Sequence, residues 1–142
     1  MPARLRPADP TDAAAALGRV LHAHDAGERP PAEDLRLLVR HSLALLLARA
    51  PGRSVEVRVP PYAAIQCVPG PRHTRGTPPG VVETDPLTWV LLAADRMTWA
   101  TARESGALAA SGERTDLSVY LPLLPSAQAA PGDPAGSDDG PS

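Results

Sequence analysis

The sequence predicts an α+β fold, in which an antiparallel or mixed sheet is covered by helices on one face. Three observations lead to this prediction. Apolar residues recur with helical spacing in 10–27 and again in 31–49. Valines alternate with other residues in 54–60. Small helices between short strands then complete the chain, an order of elements that is typical of α+β domains.

Two helices are predicted ahead of the strands. Pro10 lies at the start of the first helix, where its missing N–H does no harm, and that helix ends near Gly27. Pro31 begins the second helix, and the Pro-Gly pair at 51–52 ends it. The second helix is apolar all round from Leu43 to Ala48. Such a segment is either enclosed by the fold or lines a hydrophobic space.

Three strands are predicted in the centre of the chain. The first, 54–60, has one apolar and one polar face. The second, 62–68, is largely apolar on both faces, so we expect it to be covered on both sides. The Pro-Pro pair at 60–61 cannot donate ladder hydrogen bonds, which favours a bend or bulge over a tight hairpin. The third strand is 81–84.

The remaining elements are short. Pro86 begins a helix, and Thr98 caps another helix that runs to Ser105. Residues 107–111 are compatible with a strand, and a last helical turn breaks at Pro122.

The chain is expected to hold one domain with ragged ends. Residues 1–9 are predicted to be a disordered N-terminus, 10–124 the folded domain, and 125–142 a disordered, acidic tail rich in proline and glycine. No apolar run is long enough for a signal peptide or a membrane span, so we expect a cytoplasmic protein without stable membrane insertion.

Composition excludes several classes of function. The net charge is −2, and all 14 basic residues are arginine. This balance gives no field for nucleic acid. The single cysteine, Cys67, excludes a disulfide framework and a cysteine zinc site within one chain. His22 and His24 do not share a helix face, so no metal site and no cofactor are predicted.

Several motifs resemble the bacterial sterol-carrier-protein-like family. They are SVEVRVPPYAAIQCVPGPRHTRGTPPGVVETDP at 54–86, TW at 88–89, ASG at 110–112 and TDLSVYLPL at 115–123. The resemblance implies a sterol carrier fold, in which a small, curved and mostly antiparallel sheet is covered by helices on one face around a hydrophobic tunnel. It therefore implies binding of a hydrophobic or amphipathic, lipid-like molecule without catalysis. A related domain ends the mycothiol-dependent maleylpyruvate isomerases, whose zinc-binding helical domain carries the chemistry and has no counterpart here.

Two sets of residues are candidates for ligand binding. The loop 69–80 carries cations and hydroxyls suited to a carboxylate or phosphate: Arg72, His73, Thr74, Arg75 and Thr77. The alternative is a structural loop whose arginines pair with acidic side chains. The candidates for lining a tunnel are Leu43, Leu46, Leu47, Trp89, Val90 and Trp99. Their alternative is an ordinary packed core.

No catalytic residue is predicted. His73 has no second catalytic group at a diagnostic spacing. Cys67 lies in an apolar strand, where burial makes a thiol inert. Two further functions stay open. One is an interaction module with a filled core, which could form a homodimer or partner contact through exposed Glu56 and Arg58 or through exposed leucines on the second helix. The other is an accessory subunit of a thiol-dependent enzyme.

Overall fold

The computed structural model describes residues 5–70 and 80–125. Within these ranges the chain forms four α-helices, four strands and one 3₁₀ helix. Their order is α1 (Pro10–Asp25), α2 (Ala32–Arg49), β1 (Val55–Val59), β2 (Ala63–Cys67), β3 (Gly80–Thr84), α3 (Pro86–Ala93), α4 (Trp99–Glu104), β4 (Leu108–Ser111) and the 3₁₀ helix Leu117–Tyr120.

The four strands form one open sheet in the order β2-β1-β3-β4. The β1–β2 and β3–β4 pairs are antiparallel, whereas β1 and β3 are parallel. Two of the three pairings are therefore antiparallel, and the predicted α+β class is confirmed. The parallel pair requires the chain to cross from one side of β1 to the other between β2 and β3.

The connection between β1 and β2 differs from the prediction. Val59 pairs with Ala63, and the amide of Tyr62 donates to the carbonyl of Val59 over 3.0 Å. The strands thus form a tight hairpin rather than meeting at a bend. Pro60 and Pro61, joined by a cis peptide bond, lie in the three-residue loop, where no ladder hydrogen bond is needed.

Helices cover one face of the sheet. The inner face contributes seven buried side chains to the main core: Val55, Val57, Val59, Ile65, Cys67, Val82 and Leu108. On the outer face, Ala64 and Gln66 of β2 are exposed. The expectation that β2 is covered on both faces is therefore wrong, because β2 is an edge strand and α2 packs only on its inner side.

Side-chain caps define where the later helices begin. Asp85 accepts a hydrogen bond from the amide of Thr88 at 3.0 Å, and Thr98 accepts one from Thr101 at 3.1 Å. Each cap satisfies an amide that has no partner inside its helix. Helix α1 packs on α2, which in turn packs on α3 and β2.

The turn between α2 and β1 is built on a close backbone approach. Gly52 has φ of +151°, and a Cβ at this position would lie directly against the carbonyl of Val68. Val68 is itself unusual, since this β-branched residue has φ of 73°. Its amide donates to the carbonyl of Ala50 over 2.6 Å, and its carbonyl accepts from the amide of Ser54. The end of β2 is thereby held against the end of α2.

Two glycine substitutions should have opposite effects on the free energy of unfolding. Gly52→Ala is expected to lower it by about 2–4 kcal/mol, because the new methyl meets backbone. Gly18→Ala should raise it by about 0.5–1 kcal/mol, because Gly18 lies in α1 with no atom within 4 Å of an added Cβ. Urea unfolding measures both, and equal effects of the two changes would contradict the predicted backbone contact.

Candidate functional site

The polar loop predicted to hold an anion lies largely outside the described residues. This applies to Arg72, His73, Thr74, Arg75 and Thr77. The two ends of the loop are described, and both are held by Ser54. The hydroxyl of Ser54 donates to the carbonyl of Val68 at 2.7 Å, and its carbonyl accepts from the amide of Gly80 at 2.9 Å. The base of the loop is therefore fixed at the start of β1, beside the C-terminal end of α2.

The apolar candidates belong to the main core or pack against it, and five of the six lie on α2 and α3. Leu43, Leu46, Trp89 and Val90 all belong to the main core and expose 0% of their surface. Leu47 and Trp99 are partly buried and pack against the same core. Because the first four side chains expose nothing, no gap beside them is wide enough for a water molecule. The interior at these positions is closed in this conformation.

A pair of polar side chains lies inside this apolar core. The indole Nε1 of Trp89 donates to the hydroxyl of Ser42 over 2.8 Å. Ser42 is completely buried and donates in turn to the carbonyl of Leu38 over 2.7 Å. The indole N–H, which would be costly to bury without a partner, is thus satisfied. The pair joins the middle of α2 to the first half of α3.

A short segment near the end of the described chain closes one side of this interior. We call residues 121–124 the C-terminal strap. The amides of Leu123 and Leu124 both donate to the carbonyl of Ala93 over 2.9 Å. Arg49 donates to the carbonyls of Tyr120 at 2.7 Å and Pro122 at 3.0 Å. The strap is therefore held by α2 and α3 together.

Cys67 and the potential metal ligands are the groups to consider for catalysis or metal binding within residues 5–70 and 80–125. Cys67 is buried, as predicted, and burial raises the pKa of its thiol to about 11. A thiol with this pKa holds almost no thiolate at neutral pH, so it is a poor nucleophile. Among residues 5–70 and 80–125, no group of three or more histidine, cysteine or acidic side chains could hold a metal ion.

The outer face of the sheet carries a small charge network above an open groove. The guanidinium nitrogens of Arg58 lie 3.1 Å from Oε1 of Glu56 and 3.7 Å from Oε1 of Glu83. All three side chains are at least partly exposed. The groove beside β3 and β4 has a volume of about 680 Å³ and is lined largely by small side chains, among them Ala109 and Ala110.

A second cleft was not predicted from the sequence. We call it the α1–α2 cleft; it has a volume of about 730 Å³. It is lined by Arg6, Ala8, Asp12, Ala15, Arg19, Glu33, Asp34, Arg36, Leu37, Arg40 and His41. The available signal was the spacing of Arg36 and Arg40, which places both on one face of α2. The opposite wall comes from residues 6–19, a separate part of the chain, and sequence spacing does not connect it to α2.

His41 lies at the bottom of the α1–α2 cleft. Its side chain is buried, and its Nδ1 accepts a hydrogen bond from the amide of Ala8 at 2.9 Å. An accepting Nδ1 must be unprotonated, so Nε2 carries the proton of the neutral ring. Burial lowers the pKa of His41 below its ordinary value of 6.5, since a charged ring loses hydration there.

Comparison with protein families gives a match over most of the described chain. The family described as "Bacterial SCP ortholog" matches residues 31–123, which is more than half of the chain. The match includes α2, all four strands, α3, α4 and the 3₁₀ helix, whereas α1 precedes it. A comparison with curated proteins finds no match.

Removing the partner of Trp89 should destabilise the protein. Ser42→Ala is expected to lower the free energy of unfolding by about 1–3 kcal/mol, because the buried indole N–H loses its acceptor. The exposed Ser111→Ala serves as control and should change this value by less than about 0.5 kcal/mol. Urea unfolding followed by tryptophan fluorescence measures both. A Ser42→Ala variant as stable as the control would contradict a structural role for the pair.

Stability should fall in mildly acidic solution because of His41. Since its pKa is lower in the folded than in the unfolded protein, its contribution is complete above about pH 6.5 and is lost as the pH falls through the folded value. His41→Asn keeps an acceptor near the Nδ1 position but does not titrate. Urea midpoints between pH 5 and 8 should therefore fall less steeply toward acid in this variant, and identical profiles would contradict the prediction.

Proposed function

Because the chain belongs to the bacterial sterol-carrier-protein-like family, we propose that it binds a hydrophobic or amphipathic, lipid-like molecule without transforming it. Membership over residues 31–123 is the observation that carries this proposal. The apolar character of the region between α2 and α3 agrees with it, since Ser42 and Trp89 make the one polar contact described among the clustered candidates. None of the helices in the described ranges is long and apolar enough to cross a membrane.

The apolar part of the ligand would lie between the C-terminal half of α2 and α3. Leu43, Leu46 and Val90 lie there, with Leu47 and Trp99 at the partly exposed edge. The base of the predicted polar loop is adjacent, because Val68 is hydrogen-bonded to Ala50 at the end of α2. In this proposal the loop side chains Arg72 to Thr77 hold a polar head group while the core holds the tail.

Binding would require the closed interior to open. The side chains proposed to contact the tail leave no room for a water molecule, so helices or strap must separate first. The C-terminal strap is the proposed moving part, because it is a short segment outside any helix or strand. It is held by two hydrogen bonds to Ala93, one from the exposed Arg49, and the buried side chains of Leu123 and Leu124. Four residues held in this way open at lower cost than a whole packed helix.

The proposal excludes a catalytic role for the described groups. Cys67 is buried with a raised pKa, which disfavours the thiolate that nucleophilic catalysis needs. The proposal accordingly names no catalytic residue and no cofactor.

Native mass spectrometry tests the proposed function. The purified protein is expected to carry, or to take up from added palmitate, palmitoyl-CoA or cholesterol, one small molecule that organic extraction removes. Uptake should also change the fluorescence of the buried Trp89. Leu47→Glu, at the edge of the proposed site, should weaken uptake at least tenfold, because a charged carboxylate disfavours an apolar tail there. Leu35→Glu, also partly buried on α2, is the matched control.

A folded protein that carries no small molecule and takes up none of these ligands would overturn the proposal. The second candidate, an interaction module with a filled core, would then be favoured by the closed interior. Its contact surface would be the outer face of the sheet with Arg58, Glu56 and Glu83. The same spectrum reports the oligomeric state, so a dimer without ligand would support this alternative.

A further inference from the structure

The α1–α2 cleft combines the size of a ligand pocket with a concentration of arginine. Its volume of about 730 Å³ lies within the roughly 300–1,000 Å³ typical of small-molecule sites. Four arginines line it: Arg6 from the N-terminal segment, Arg19 from α1, and Arg36 and Arg40 from α2. Ala8, Ala15 and Leu37 supply an apolar wall. Since Arg6, Ala15 and Arg19 precede residue 31, only the α2 wall of the cleft belongs to the region that matches the family.

Only one of these arginines is neutralised by a close ion pair with a described residue. Arg19 donates from Nε and Nη2 to the two carboxylate oxygens of Asp34, over 2.8 and 3.0 Å. Arg40 makes one long hydrogen bond of 3.4 Å, to the carbonyl of Tyr62. Arg6 and Arg36 make no ion pair within the described ranges. Several guanidinium donors therefore face the cleft without a strong acceptor.

The acidic side chains of the cleft do not cancel this charge. Asp34 is already paired with Arg19. Asp12 and Glu33 lie in the first turns of α1 and α2, where each is also stabilised by the positive end of its own helix. Three cations, Arg6, Arg36 and Arg40, then face two carboxylates, which leaves an excess of positive charge.

A buried donor without a partner points to the same kind of ligand. His41 is 7% exposed, and its Nδ1 is occupied by the amide of Ala8. Its Nε2–H donates to no acceptor among the described residues. A buried donor left without an acceptor is costly, and an anionic oxygen in the cleft would satisfy it.

We propose that the α1–α2 cleft binds an oxyanion, a carboxylate or phosphate group carried by a small molecule, between Arg36, Arg40 and His41. Guanidinium groups match the geometry of both anions, because they donate two parallel hydrogen bonds. The site is separate from the proposed lipid site. Arg36 precedes Ala50, where the polar loop is anchored, by 14 residues, or about 21 Å along a helix.

Isothermal titration calorimetry with inorganic phosphate, butyrate and phosphatidylglycerol vesicles tests the proposal. Phosphate or butyrate is expected to bind one site, and Arg36→Gln should weaken that binding at least tenfold. Arg29→Gln is the matched control: it removes an exposed arginine that does not line the cleft, so it should leave affinity nearly unchanged. Equal losses of affinity in the Arg36→Gln and Arg29→Gln variants would overturn the proposed site, because they would indicate non-specific electrostatic attraction. Binding to vesicles alone would also overturn it.

Two substitutions of His41 distinguish the roles of its two ring nitrogens. His41→Gln places an amide donor near the Nε2 position, whereas His41→Asn places an acceptor near Nδ1 and lacks the distal donor. The His41→Gln variant should bind the anion with an affinity within about threefold of that of the original protein. The affinity of the His41→Asn variant should fall at least tenfold. If the role of His41 is purely structural, the losses of affinity should follow the melting temperatures of the two variants. That outcome would show that His41 does not contact the anion. Loss of lipid uptake leaves this test unaffected, because the two sites use different residues.

Discussion

The hydrogen bond between the indole of Trp89 and the hydroxyl of Ser42 sets the arrangement of the core. Trp89 is the largest of the fully buried side chains, and its N–H finds an acceptor only if α2 and α3 keep one register. Ser42 is held in turn by the carbonyl of Leu38. Around this pair the aliphatic side chains of both helices pack against the inner face of the sheet. A polar contact in an apolar core thus specifies orientation, whereas the surrounding burial supplies most of the stability.

The same packing constrains how a ligand could be received. Leu43, Leu46, Trp89 and Val90 leave no water-sized space, so a bound tail would replace the packing of the protein against itself. The net affinity is then a small difference between two large free energies, the attraction of the core for the tail and the cohesion of the closed core. The strap, which is hydrogen-bonded to Arg49 and Ala93, contributes Leu123 and Leu124 to this core, so its displacement would expose two leucines for a bound tail to cover.

Helix α1 and the segment before it lie outside the region of the chain that matches the family. They add a second wall beside α2 and bring Arg6, Arg19 and the amide of Ala8 next to side chains of the matched region. The ion pair of Arg19 with Asp34 and the hydrogen bond of Ala8 to His41 hold the two parts together. A polar cleft and an apolar interior therefore lie on one helix, the cleft toward the beginning of α2 and the interior toward its end.

The sequence by itself determined the elements whose causes are local. The cap at Thr98 and the alternation of valines in β1 act over a few residues, so they can be recognised without a partner. Tertiary structure alone decided the parallel pairing of β1 with β3, the exposure of one face of β2 and the α1–α2 cleft. These features depend on contacts between residues far apart in the sequence, such as Ala8 with His41 or Ser42 with Trp89. Local propensity does not determine which distant residues come into contact.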